Sequence, residues 1–153
     1  DLKTNIFSPG PRMTAARHET VMAIDFGLRN IGIAVGNTLS GTAQPLTIIG
    51  ARDGVPDWAA LSQLLDEWRP QRILVGLPLN MDGTQSELAQ RAEKFSRQLE
   101  GRFGREVTLA DERLSSREAK NNALAAGHNG DFSADPIDHY AAAIILTTWL
   151  NDQ

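Results

Sequence analysis

An apolar run that closes on an acid constrains this chain more than any other stretch: Val21-Met22-Ala23-Ile24-Asp25, followed by Phe26-Gly27. It reads as a buried strand, and Leu28-Arg29-Asn30 reads as a tight turn into a second strand, Ile31-Gly32-Ile33-Ala34-Val35-Gly36. In that second strand Ile31, Ile33 and Val35 alternate with Gly32, Ala34 and Gly36, so one face packs and the other is nearly bare, leaving room for something to lie close. A carboxylate at the end of an apolar strand is rarely buried unless it is paired or holds a metal. The alternative for Asp25 is a turn cap made through its own backbone.

Beyond Gly36 the chain predicts a third strand from Ala43 to Ile49, a loop over Gly50 to Gly54, and a helix opened by Pro56 and Asp57. Trp58, Leu61, Leu64, Leu65 and Trp68 recur at helical spacing until Pro70 stops that helix. Arg72 to Leu77 is a continuous apolar strand of the kind buried in a parallel sheet. It empties into a polar loop, Pro78 to Thr84, at the strand end where α/β folds place ligands. A helix follows over Glu87 to Phe103, with Leu88, Ala92, Phe95 and Leu99 inward and Arg91, Lys94 and Arg97 elsewhere on its surface. A fifth strand, Glu106 to Ala110, runs into Asp111-Glu112-Arg113. Ser115 and Glu118 have capping-box spacing for a short helix reaching Gly127. Asp135-Pro136 then signals the last helix, with Ile137, Tyr140, Ala141, Ile144, Ile145 and Trp149 on its apolar side. Three strands joined by short turns, then helix, strand, helix, strand and helices is the order of a ribonuclease H-like α/β fold. The expected sheet has five strands, the first three antiparallel and the fourth and fifth parallel, with helices on both faces.

The 153 residues suit one domain, assigned to 13–153, with residues 1–12 a leader ahead of a start at Met13. No apolar run approaches the ~20 residues of a membrane span, so no membrane partner is expected and the location is cytoplasmic by default. The absence of cysteine excludes disulfides, thiol catalysis and zinc–thiolate sites, and the three histidines lack metal-ligand spacing. A net charge of −4 argues against broad non-specific nucleic-acid binding and leaves only a local basic patch for such a partner.

The acids supply the chemistry. Asp25 ends the first strand, Asp111 and Glu112 end the fifth, and Asp138 lies in the first turn of the last helix. Parallel strands bring their carboxyl ends to one edge, where converging carboxylates are stable together mainly when a cation neutralises them. Oxygen-only ligands point to Mg²⁺ or Mn²⁺ held by Asp25, Glu112 and Asp138. Two such ions would activate water and stabilise the leaving oxygen of a phosphodiester. Taken singly, Asp138 is also explained as an acid favoured at a helix N-terminus. Arg29, Arg113, Arg117 and Lys120 lie in sequence beside these acids, either to hold flanking phosphates or to neutralise the acids themselves.

Four segments together resemble the YqgF family, also called RuvX. They are Asp25-Phe26-Gly27 with Ile31 to Gly36, Val75-Gly76-Leu77-Pro78-Leu79-Asn80-Met81-Asp82-Gly83-Thr84, Asp111-Glu112-Arg113-Leu114-Ser115, and Asp138-His139-Tyr140-Ala141-Ala142-Ala143-Ile144-Ile145-Leu146. The resemblance runs from about Val21 to Leu150. It implies a ribonuclease H-like bacterial cytoplasmic nuclease that matures the 5′ end of pre-16S rRNA in ribosome biogenesis. Asp25, the Asp111–Glu112 pair and Asp138 would be its catalytic acids, and Asn80 would join the basic residues on nucleic acid. Holliday junction resolvase-type cleavage of branched DNA and a non-catalytic RNA- or ribosome-binding role are the alternatives. The small ribosomal subunit is a possible partner, and the protein would be a monomer or a homodimer. The Asp-x-Gly hairpin is also similar to the first phosphate loop of actin- and sugar-kinase-like ATPases, but those place nucleotide between two such domains.

Two features depart from the ribonuclease H pattern. The fourth strand ends in Gly76-Leu77-Pro78 without an acid, so the acid sits one strand further out, roughly 10 Å from the first strand. The longer Glu112 closes such a gap better than Asp111. Residues Gly127 to Asp135, where relatives tend to be basic, contain no Lys or Arg.

Overall fold

The computed structural model describes residues 18–80, 82–112, 115–132 and 134–153, the side chains of 115–117 excepted. The leader assigned to 1–12, Arg113 and the Arg117 side chain therefore lie outside the described residues. The strands are β1 (Thr20–Asp25), β2 (Asn30–Asn37), β3 (Thr42–Arg52), β4 (Val55–Pro56), β5 (Arg72–Leu77) and β6 (Val107–Asp111). The helices are α1 (Trp58–Trp68), α2 (Glu87–Phe103), α3 (Ser115–Ala125) and α4 (Asp138–Asn151). One mixed sheet has the order β4-β3-β2-β1-β5-β6. β1 pairs antiparallel with β2 and parallel with β5, which pairs parallel with β6.

The sheet has six strands where five were expected, because Asp53 (φ 49°) and Gly54 (φ 81°) turn the chain sharply and return Val55–Pro56 against the end of β3. The stretch read as a loop is therefore the tip of a hairpin, and β3 runs on to Arg52. Pro56 closes that hairpin instead of opening the helix. Asp57 does cap α1, its carboxylate accepting from the Ala60 N–H at 3.1 Å.

The period of two in the strands divides the core cleanly. Met22 and Ile24 of β1, Ile31 and Ile33 of β2, and Ile73 and Val75 of β5 face α1 and α2, where Leu61, Leu65, Phe95 and Leu99 bury against them. Val21, Ala23, Ala34 and Leu74 face the other way, onto Ala142, Leu146 and Leu150 of α4. α3 packs on α4 through Ala119, Ile137 and Ala141.

Two expectations for the C-terminal part are corrected. α4 starts at Asp138, with Ile137 at the N-cap and no side-chain cap, because Asp135 is engaged elsewhere: its carbonyl accepts from His128 Nε2 at 2.9 Å and its carboxylate pairs with the same ring at 3.3 Å. α4 also lacks a single apolar stripe, since it is covered by the sheet on one side and by α3 on another; Tyr140, expected inward, is 48% exposed. Among the described residues no helix is long and apolar enough to cross a membrane.

Candidate active site

Asp25 is an odd member of β1, so its side chain follows Val21 and Ala23 toward α4. On β6 the side chain of Val107 packs toward α1 and α2, so alternation turns Glu112, rather than Asp111, to the α4 face. Glu112 is buried at 8% exposure, its N–H donating to the Leu77 carbonyl at 3.2 Å, whereas Asp111 is exposed at the strand end. β5 lies between β1 and β6, and Gly76 is the β5 residue that the Glu112 side chain must cross. A Cβ on Gly76 would stand 2.8 Å from Glu112 Cδ and 3.0 Å from Oε2. The missing side chain is the channel through which Glu112 spans the two-strand gap and reaches Asp25.

The two carboxyl groups share a side-chain hydrogen bond. A hydrogen bond between carboxyl groups requires that one of them keep its proton, so the pair titrates as a unit. Asp25 is held well above the usual carboxylate range, first by burial, then by the Glu112 charge and this hydrogen bond, and last by the Asp138 charge. Asp138 is also raised, by burial, against lowering contributions from a backbone hydrogen bond and from the positive charges of His139 and Lys120. Burial lowers His139, and its buried Nδ1 has no hydrogen-bond partner.

Asp138 reaches this edge because of the bare face of β2. A Cβ on Gly32 would fall on the main-chain carbonyl of Asp138 and 2.6 Å from the His139 nitrogen. What lies close to that face is thus the first turn of α4. Sequence reasoning missed the parts of Gly76 and His139; the signal for Gly76 was present, as a glycine inside an apolar strand marks a close approach.

The structure thus brings Asp25 and Glu112 into contact and sets Asp138 within electrostatic reach of Asp25. Among the described residues no three acids or histidines already stand as a metal-binding group. The chemistry of the donors nevertheless fits a hard cation: the three acids offer oxygen only, Asp25 and Glu112 are buried and Asp138 partly so, and their mutual repulsion is what a cation would relieve.

The remaining candidates are dispersed. Arg29 is exposed in the turn after Asp25, and its carbonyl accepts from the Ala51 N–H at 2.9 Å. Lys120 is exposed, with Nζ 5.5 Å above the Phe132 ring. Asn80 clasps its own loop, its amide donating to Thr84 Oγ1 at 3.0 Å and its N–H to the Thr84 carbonyl at 2.8 Å. Arg91 and Arg97, expected on the surface of α2, pair with Asp53 at 3.3 Å and Glu93 at 3.9 Å.

If Gly76 is the channel for Glu112, Gly76→Ala should leave the sheet intact, because the obstructing atoms belong to side chains that can turn away. Carboxyl titration by NMR should then find Asp25 moved back toward its ordinary value. An unaltered Asp25 titration would mean that Glu112 reaches it by another route.

Residues 19–152 match the RuvX family model, described as Holliday junction resolvase. The chain belongs to the RuvX family. A Chromohalobacter salexigens protein named "Putative pre-16S rRNA nuclease" is 49% identical over 140 residues, 92% of this chain and 95% of the relative. One of the same name from Azotobacter vinelandii is 46% identical over 144 residues, 94% and 96% of the two chains. Among solved structures, Thermus thermophilus RuvC with a Holliday junction substrate aligns with TM-score 0.54 at 18% identity, over 87% of this chain and 94% of that one. A Fowlpox virus resolvase bound to Holliday junction DNA aligns with TM-score 0.53 at 13% identity, over 87% and 97%. At these identities the structural likeness establishes the fold alone. The RuvX match contains Asp25, Glu112 and Asp138 together with both glycines that position them.

Proposed function

We propose that this RuvX chain is a divalent-metal-dependent nuclease that hydrolyses phosphodiester bonds at the 5′ end of pre-16S rRNA, with Asp25, Glu112 and Asp138 as its metal-holding acids. The observation that carries the reading is the buried, hydrogen-bonded Asp25–Glu112 pair, with the charge of a third acid, Asp138, acting on Asp25. Nothing in the apolar packing requires acids there. The pre-rRNA substrate is supported by the names of relatives that share nearly half of their residues with this chain over almost their whole length.

Mg²⁺ or Mn²⁺ held here would polarise a phosphate as a Lewis acid and lower the pKa of an attacking water. The protein's own part is geometric. Asp25 and Glu112 would hold the ion together with Asp138, and Gly76 keeps the path of Glu112 open. Asp138 is carried in on the rigid first turn of α4. Arg29, Arg113, Arg117, Lys120 and Asn80 are the candidates for phosphates on either side of the cut, a task that positions the strand without reading bases. A small-subunit partner and a cytoplasmic location follow from that substrate.

The family description favours a second substrate, the four-way DNA junction. Both are tested together by incubating the protein with a labelled pre-rRNA leader and with a labelled junction, each with Mg²⁺, with Mn²⁺ and with chelator. Cleavage of the leader that chelator abolishes is the expected result. Cleavage of the junction alone would transfer the assignment to DNA, and cleavage that survives chelation would remove the metal from it.

A further inference from the structure

Arg91, placed by helical spacing on the surface of α2, reaches the tip of the β3–β4 hairpin. One guanidinium nitrogen contacts the Asp53 carboxylate at 3.3 Å and the other donates to the Asp53 carbonyl. Both bonds end on the β3–β4 hairpin tip, where Asp53 and Gly54 are in the left-handed region. A Cβ on Gly54 would stand 2.7 Å from Arg91 Nη2 and 3.2 Å from the Phe26 ring, so the tip is seated between that guanidinium and the residue following Asp25. The hairpin in turn holds the β1–β2 turn by two main-chain bonds: the Gly54 N–H donates to the Leu28 carbonyl and the Ala51 N–H to the Arg29 carbonyl, both at 2.9 Å. Below, Phe26 packs on Phe95 of α2 with ring centroids 5.0 Å apart, which anchors the turn to the helix that bears Arg91.

We propose that Arg91 is a positioning residue: through the Asp53–Gly54 tip it fixes the turn that carries Arg29 beside Asp25, and it makes no contact with nucleic acid itself. The assignment rests on the nuclease reading for its kinetic consequences and on the geometry alone for its structural ones. A paired surface charge by itself contributes little to stability. The arrangement here has a different product, since two planar bonds to one residue define an orientation that a lysine ammonium does not reproduce. Misplacement of a substrate-holding group by about 1 Å is enough to cost a large factor in rate.

The test compares Arg91→Ala, Arg91→Lys and Asp53→Gly, the last chosen because glycine accepts the left-handed backbone. Hydrogen exchange of the Ala51 and Gly54 amides should accelerate in all three while the melting temperature stays within a few degrees. With labelled leader RNA and Mg²⁺, all three should lose kcat on the order of tenfold, with smaller changes in KM. The salt dependence of binding should keep its slope. If Arg91 instead touches a phosphate, Arg91→Ala should flatten the slope by about 0.7 for a single strand, Arg91→Lys should restore it, and Asp53→Gly should tighten binding. That pattern, or amide exchange unchanged in the three variants, overturns the proposal. If the wild-type chain cuts no RNA, the nuclease reading fails while the exchange measurement still decides the role of Arg91.

Discussion

Asp25→Asn should abolish metal-dependent cleavage while raising the melting temperature of the metal-free protein at neutral pH. The first effect is large because asparagine keeps the shape but removes the ligand charge. Several kcal/mol of transition-state stabilisation depend on a held cation, which is about 10³-fold or more in rate. The second effect follows from the buried pair. Asp25 titrates well above its ordinary 3.8 in the folded chain, so between that value and its folded one the native state holds a proton that the unfolded state has released. Metal-free stability must therefore fall as pH rises through that window, and the neutral amide escapes the loss. Melting wild type and variant in chelator from pH 4 to pH 8 checks the sign: the advantage of Asn should grow with pH and shrink toward the acid end. A variant that still turns over, or that melts below wild type at pH 8, would show that Asp25 is placed for some other purpose.

Gly32→Ala should destabilise this chain severely. Its Cβ would clash with the main-chain carbonyl of Asp138 and lie 2.6 Å from the His139 nitrogen, and main chain in the first turn of a helix cannot rotate aside. α4 must lift from β2, so the cost should be about 3 kcal/mol or more, at the upper end for overpacked sites. Gly50→Ala is the matched control, since nothing lies within 4 Å of its Cβ position. Urea unfolding of the two should separate them by most of that difference, and the surviving folded fraction of Gly32→Ala should be inactive because Asp138 is displaced. Equal midpoints would mean that α4 docks with more slack than the backbone distances allow.

Much of the frame was readable from residue order. The apolar run of β1, its counterpart Arg72–Leu77 and the spacing of α1 and α2 are local signals that tertiary packing reinforces. That Glu112 rather than Asp111 is buried toward α4 was accessible too, from alternation along β6, and side-chain length points the same way. The short strand β4 was not, because two residues carry no periodicity and the turn that creates them depends on an aspartate in a left-handed conformation. Nor was the start of α4: Asp135-Pro136 is a sound capping signal locally, but His128 competes for the same aspartate from across the loop. Gly76 shows the limit most clearly. A glycine in a strand announces that something comes near, and only the pairing of β5 with β6 identifies it as a glutamate on its way to another strand.

The placement of Asp138 on α4 has a consequence for the moment of synthesis. A nascent chain emerges N-terminus first and its early segments begin to fold while the rest is still being made. Asp25 appears in the first strand of the sheet, Glu112 after the sixth, and Asp138 only with the helix that closes the opposite face. Until that helix has left the ribosome and settled on the glycines of β2, an unfinished chain holds at most a fraction of the acid constellation. The three acids stand at one edge only in the finished fold.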